Sequence, residues 1–395
     1  MLVPKQHGTL IKDLGFHGVH SRSFIGVRKG MIKLNIRTCL LFFPVMAVTI
    51  TGCRDKITNP ISTSDHSICY EKVYNGIWEV YINDITGAQP KNISNNLPRV
   101  NDEPRWSPDG NYIAFTNSKT HLYLYDVLRD TLRGLVVSDT ELASGAIWLP
   151  DGKKIVCSYQ SPSQPNGWYI MDVPDGSNRR ELKYPVTYFY PDGYNTVYLV
   201  QNASECSVYR SNLDGTVNEL MVDLHTFVST SAGSVSVWDF DPFNNNLLIS
   251  FDDPSTALPN SIATYDINAK RLDTVIVSDS GWKCYRPKFS NGFKKVAMVE
   301  VQITDIPTCR ISIIENGVKS ALLEFKEEYV DLDFHPLTFS TDDKYLMFAK
   351  NVFQPGSMVS WISYIYVIQS DTRDMTLVDM TNQSGERIWN PSMPH

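Results

Sequence analysis

The chain has 395 residues with 36 basic and 43 acidic side chains, a formal net charge of −7 at pH 7. That balance argues against phosphate backbones as partners, and the length exceeds what one hydrophobic core fills, so two domains or a modular array are expected. Seven cysteines without a CxxC pair supply no spacing for a metal or redox centre.

Residues 1–30 are expected to be an upstream extension, and residues 31–52 read as a signal peptide. Lys33 and Arg37 form a basic start, and Cys39 to Ile50 form an apolar run of 12 residues, too short to cross a bilayer as a helix. The run ends in Ile50-Thr51-Gly52-Cys53, which resembles the lipobox of bacterial lipoproteins. The resemblance implies that Cys53 is acylated, that residues 53–65 are a lipidated tether, and that the protein sits in the cell envelope. Arg54 stands where enteric lipoproteins kept at the inner membrane carry an acid, which points to the outer membrane. Residues 1–52 hold seven basic residues and one acidic one, so the remaining body carries −13. Its membrane contact is expected through the acyl anchor, with no nucleic-acid partner.

From residue 66 to residue 395 one short phrase recurs. Asp102 to Phe115 reads DEPRWSPDGNYIAF, in which Pro108, Asp109 and Gly110 close a turn and a β-branched and aromatic strand follows. Worn copies begin at Trp148, Phe189, Phe240, Phe289, Phe339 and Trp389, at spacings of 41 to 51 residues. Each aromatic is followed by an apolar strand, then a third strand and a fourth, so each repeat is a four-stranded antiparallel unit. Residues 67–94 supply strands two to four of one unit, and the segment from Arg387 supplies a first strand alone. The two fragments complete a single blade, which predicts an all-β, seven-bladed β-propeller closed by its terminal strands, with six blades as the alternative.

The WSPDG-x-x-I-A-F phrase, followed by a tyrosine-rich strand and a polar turn, resembles the WD40-like repeat of TolB-type propellers, also seen in propeller domains of prolyl oligopeptidase relatives. TolB itself pairs six blades with an N-terminal α/β domain, and this chain has only a short segment between Cys53 and its first strand.

In such blades the loops after strands two and four are long, and the face carrying them is the expected binding side. Candidate ligand-binding residues there are Trp238, Asp239, Trp282, Tyr285, Arg286, Asp331, Asp333 and His335, aromatic platforms beside acids and a base. Packing between blades and hydration of the channel are the competing explanation for the same residues. No metal site is expected from His121, His225 and His335, which fall in three different blades. No cofactor is expected, and no catalytic residue is assigned: GxSxG, HExxH, P-loop and GxGxxG motifs do not occur. The expected function is therefore non-enzymatic binding or scaffolding of an envelope protein or glycan. A carbohydrate-active or lyase-type enzyme is the alternative. Cys69 and Cys157 read as buried thiols, while Cys284 and Cys309 share one repeat and could pair.

Overall fold

A computed structural model describes residues 67–74, 76–94, 97–98, 100–118, 120–202, 205–224, 234–252, 261–277, 279, 281–302, 308–326, 337–353, 361–380 and 388–393. All lie in the compact unit Thr58–His395. The N-terminal extension, the leader, Cys53 and the tether lie outside the described residues, as do His225, Asp331, Asp333 and His335.

The described residues build seven four-stranded antiparallel sheets and no α-helix. The first contains β1 (Ser67–Tyr74), β2 (Ile77–Asp84) and β3 (Lys91–Asn92). The second runs β4 (Asn101–Trp106), β5 (Tyr112–Asn117), β6 (His121–Asp126), β7 (Thr131–Val136). The third is β8 (Leu142–Trp148), β9 (Lys154–Ser161), β10 (Gln164–Asp172), β11 (Arg180–Leu182), and the fourth β12 (Tyr188–Phe189), β13 (Asn195–Asn202), β14 (Glu205–Asn212), β15 (Asn218–Asp223). The fifth is β16 (Ser234–Asp241), β17 (Asn246–Asp252), β18 (Ser261–Asp266), β19 (Arg271–Val277), and the sixth β20 (Trp282–Phe289), β21 (Lys295–Gln302), β22 (Thr308–Glu315), β23 (Val318–Lys326). The seventh is β24 (Thr338–Phe339), β25 (Tyr345–Phe353), β26 (Trp361–Gln369), β27 (Met375–Met380). The last strand, β28 (Ile388–Ser392), joins the first sheet in the order β28-β1-β2-β3, with Glu71 opposite Trp389. The chain is a seven-bladed β-propeller closed by strands from both ends, and six blades are excluded.

The period-2 alternation of each middle strand feeds two neighbours at once. On β21, Val296 and Met298 pack towards the fifth blade with Leu248 and Ile262, whereas Ala297, Val299 and Val301 pack towards the seventh with Phe339 and Leu346. An apolar cluster fills each of the seven blade boundaries, including the closing one, where Ile68 and Tyr70 meet Met347, Ile365 and Val378. The same alternation corrects the suggested pairing of Cys284 with Cys309. Cys284 lies in the fifth–sixth cluster and Cys309 in the sixth–seventh, on opposite faces of one sheet, and both are buried with no disulfide between them. Cys69 and Cys157 are also buried and outside any disulfide, and burial pushes the Cys157 thiol up to about 12.

The recurring turn survives loss of its consensus. Ser107 Oγ donates to Asp109 Oδ1 (2.6 Å) and accepts the Tyr112 N–H (2.9 Å), and Gly110 takes φ +69°. In the worn copy Ser340 Oγ donates to Asp342 Oδ1 (2.7 Å) and accepts the Tyr345 N–H (3.0 Å), with Asp343 in the glycine position at φ +57°. The serine and the aspartate are sufficient to build the turn, so its last residue can change.

Outer strands carry bulges. One extra residue interrupts β7 at Leu135, β15 at Met221, β23 at Leu322 and β27 at Val378, and each of these side chains turns into an interblade cluster. The bulges disrupt the exposed hydrogen-bonding edge that would otherwise invite pairing between molecules.

Candidate functional site

Inner strands are bulged as well. Glu103 and Pro104 on β4, Gly145 and Ala146 on β8, and Arg286 and Pro287 on β20 sit where the register slips by one. Glu103 (φ +56°), Gly145 (+69°) and Arg286 (+48°) occupy the left-handed region at the same place in three blades. Only glycine is at ease there, so Glu103 and Arg286 hold that geometry at a cost that their surroundings offset.

First strands of six blades converge on a cavity of about 520 Å³ on the axis of the ring. Its wall includes Arg105, Arg286 and Lys288, the rings of Trp106, Trp148, Tyr188 and Trp238, and the apolar Ile147, Pro287 and Leu337, with no carboxylate among the lining residues. Most of these positions either immediately precede the repeat's aromatic residue or lie in the bulge. The cavity therefore occupies the half of the channel nearer the short turns, one of which contributes Pro108.

Blades are tied together around this wall by side-chain to backbone bonds. Trp148 Nε1 donates to the Arg105 carbonyl (3.1 Å), and the Tyr188 hydroxyl donates to the Trp238 carbonyl (3.0 Å). Burial, followed by the charge of Asp239, raises the Tyr188 phenol far above its ordinary value, so it stays a neutral donor. Trp106 is the exception: its indole N–H is buried and has no partner among the described residues.

The sequence candidates separate in this geometry. Trp238 and Arg286 line the cavity, and Trp238 Nε1 donates to Ser250 Oγ (2.7 Å). Asp239 is buried behind it, with Oδ2 accepting from Lys288 Nζ (3.0 Å) and the Phe289 N–H (3.0 Å). Trp282 lies elsewhere, 4.1 Å beneath the Arg310 guanidinium in a charged network with Glu300, Asp279 and Lys319. The Tyr285 side chain, Asp331, Asp333 and His335 lie outside what is described. Of the histidines considered for a metal, His121 lies within hydrogen-bonding distance of Thr120 Oγ1 (3.0 Å) and the Ser138 carbonyl (3.3 Å) through its two ring nitrogens. No metal-holding group of His, Cys, Asp and Glu occurs among the described residues. Arg105, Tyr188 and Lys288 were not singled out from sequence, and Trp148 was read there only as a repeat aromatic. The signal that finds them is the column of residues at and just before the repeated aromatic.

A second cavity of about 380 Å³ lies between the third and fourth blades and includes Lys154, Asp172, Arg180 and Asp192. Its charges are largely consumed locally: Lys154 pairs with Asp172, which also accepts from Asn178 Nδ2 (2.6 Å), and Asp192 accepts from the backbone of its own turn.

No family model and no curated protein matches the sequence. Solved structures similar to the fold include a puromycin-hydrolysing peptidase of Mycobacterium tuberculosis, 10% identical with a TM-score of 0.52 over 80% of this chain and 51% of that one. A prolyl endopeptidase is 14% identical, TM-score 0.52, over 84% of this chain and 49% of that one. TolB of Acinetobacter baumannii is 16% identical, TM-score 0.47, over 83% of this chain and 66% of that one. The chain thus spans about half the length of the two peptidases and 66% of that TolB. What these likenesses share with the chain is its fold, a β-propeller, with TolB proteins among the structures it resembles.

Proposed function

We propose that this chain is a lipid-anchored propeller of the bacterial envelope that binds a protein or glycan partner at its central channel and performs no chemistry on it. The observation that carries the reading is the axial cavity, where cations and aromatic rings from several blades meet in one wall that includes no carboxylate. Such a wall is suited to holding a ligand. Asp239, the acid directly behind it, is committed to Lys288 and two backbone N–H groups, which makes it a strut between blades. The lipobox ending at Cys53 supports the anchor, and the outer membrane is its proposed destination.

The test is crosslinking of the full-length protein in cells, followed by capture and identification of what is bound. A specific envelope partner, lost when Cys53→Ala releases the protein from the membrane fraction, is the expected result. Turnover of a polysaccharide or peptide by the purified protein, abolished by Asp333→Ala or His335→Ala, would overturn it in favour of an enzyme.

A further inference from the structure

Two charged side chains of the cavity between the third and fourth blades are left open by their neighbours. In the other two Pro-Asp-Gly turns the aspartate is filled on both oxygens. An asparagine amide reaches Oδ2 of Asp109 and of Asp192 at 2.7 Å, and backbone N–H groups reach Oδ1. In the third blade those asparagine positions are Lys153 and Lys154, and Leu149 replaces the serine that donates to Asp109. Asp151 therefore keeps only the Lys153 N–H on Oδ1 (2.9 Å), and its Oδ2 has no partner among the described residues. Arg180, at the start of β11, is exposed and makes no hydrogen bond or ion pair among the described residues. Asp151 and Arg180 both line the cavity.

A ring completes the wall. Tyr194 lines the same cavity and is 47% exposed, at a turn position that holds Asn111, Lys153, Asn245, Lys294 and Lys344 in other blades. Exposed rings ordinarily swing, and this one is held at both ends. Its N–H donates to Asp192 Oδ1 (2.8 Å), and its hydroxyl donates to Asp214 and accepts from Asn212 Nδ2 (3.2 Å). Among the described residues no other ring and no cation stacks on it. Leu149, Ile170 and Leu213, from the cluster between the third and fourth blades, give the cavity an apolar floor. The remaining charges are spent: Lys154 and Asp172 neutralise each other, and Asp192 is filled by its own turn. An entering molecule therefore meets one open acceptor, one open guanidinium and one fixed ring. An anion would face three carboxylates against a single open cation, and one ring is too few to cage an amine.

We infer that this cavity binds a single neutral pyranose, with Tyr194 as the stacking platform, Asp151 Oδ2 accepting from one hydroxyl and Arg180 donating to another. The C–H groups on one face of a pyranose carry slight positive charge and rest on the negative face of an aromatic ring. Each sugar hydroxyl both donates and accepts, so it can use the aspartate and the arginine alike, and bonds to charged partners are the stronger kind. A volume of about 380 Å³ is at the small end of ligand pockets, which favours one ring unit over a long chain. The cavity shares no lining residue with the axial one, so the sugar site goes beyond the binding reading above and stands or falls separately from it.

The experiment titrates the full-length protein, in micelles of a sugar-free polyoxyethylene detergent, with the methyl glycosides of glucose, galactose, mannose and N-acetylglucosamine. Methyl glucuronide and phenylalanine serve as the anionic and zwitterionic probes. Saturation-transfer NMR reads which ring protons touch the protein, and the titration reads affinity. Tyr194→Asn installs the residue found at position 111, Arg180→Gln removes the open cation, and Asp151→Asn keeps Oδ1 for the Lys153 N–H while turning the open acceptor into a donor. Phe243→Asn removes an exposed ring of the fifth blade's turn that lies outside the cavity. At least one neutral glycoside is expected to bind, with saturation concentrated on one face of its ring. Its affinity falls about tenfold or more in each of the three cavity variants and is unchanged in Phe243→Asn.

Thermal melts of the variants show that each is folded before its affinity is compared. Binding of none of the neutral glycosides overturns the inference, as does affinity that survives in all three folded cavity variants or falls equally in Phe243→Asn. Tighter binding of methyl glucuronide or of phenylalanine than of every neutral glycoside overturns it in favour of an acid or a zwitterion.

Discussion

Lys288 and Asp239 meet across the boundary between the fifth and sixth blades, with Nζ 3.0 Å from Oδ2, and the same oxygen accepts the Phe289 N–H. Oδ1 accepts the Phe240 N–H at 3.0 Å, so one carboxylate holds two neighbouring first strands. Asp239→Ala leaves the partly exposed Lys288 ammonium group and two buried backbone donors without their carboxylate. It is expected to lower the unfolding free energy by about 2 kcal/mol, chiefly from the two backbone donors left unsatisfied. Urea unfolding followed by tryptophan fluorescence measures it, and a cost below about 1 kcal/mol, that of an exposed pair, contradicts the strut.

Glu300 is fully buried and accepts from Arg310 Nε (2.5 Å), Ser312 Oγ (2.5 Å) and Lys319 Nζ (3.0 Å). Burial alone would raise its pKa, but the hydrogen bonds from these three residues outweigh burial and hold it below the ordinary glutamate value. Asp279 is lowered by hydrogen bonds from Arg310 and then Lys319. A carboxyl depressed in the folded state contributes stability that is fully present above its unfolded value and lost as pH falls through the folded one. The urea midpoint is therefore expected to hold from neutrality down to about pH 4.5, and then to fall as the pH drops further. In Glu300→Gln the midpoint at pH 7 is already lower and the acid limb flatter. An identical acid limb in wild type and variant would remove Glu300 as its source.

Two residues share a left-handed backbone and differ in what their side chains do. Lys270 is exposed at φ +53°, and Lys270→Gly is expected to raise stability by about 0.5 to 1 kcal/mol by relieving strain. Asp343, at φ +57°, accepts the Asn291 N–H (2.7 Å) and the Gly292 N–H (2.8 Å) of the neighbouring blade's turn. Asp343→Gly relieves similar strain and loses both bonds, so it is expected to destabilise. Thermal melts of the two variants should move in opposite directions, and a shift of the same sign in both would refute the cap.

Trp148 and Trp106 offer a matched pair for one hydrogen bond. Trp148→Phe removes the indole donor to the Arg105 carbonyl, whereas Trp106→Phe removes a donor with no described partner. Loss of ring volume is common to both, so Trp148→Phe is expected to cost about 1 kcal/mol more. Chemical denaturation of the two variants side by side checks the difference, and equal costs would deny the bond its value.

These contrasts also show which parts were readable in the residues. Trp106 to Phe115 declares a turn and a buried strand because Pro108, Asp109 and Gly110 each have a backbone reason to be there, and the serine and aspartate keep the later copies recognisable. Outer strands were harder to read. One extra residue at Leu135 or Val378 breaks the alternation on which strand reading depends, and the break is visible only once the partner strand is known. The cavity wall hid for a related reason. Arg105, Tyr188 and Lys288 have little in common as side chains, and only their shared place beside the repeated aromatic brings them together. Trp282 drew notice for its type, yet its neighbours Arg310 and Glu300 come from strands whose register no local motif reveals.

The pairing of β1 with β28 carries a consequence for biogenesis. Synthesis runs from the N-terminus, so Ser67–Tyr74 emerges among the first strands of the body, and Ile388–Ser392 among the last. Until then one flank of β1 has no neighbour, and every other blade is complete while the circle stands ajar. A strand waiting so long for a distant mate makes closure slow and leaves an adhesive margin on the newborn chain. Only the arrival of β28 covers that margin.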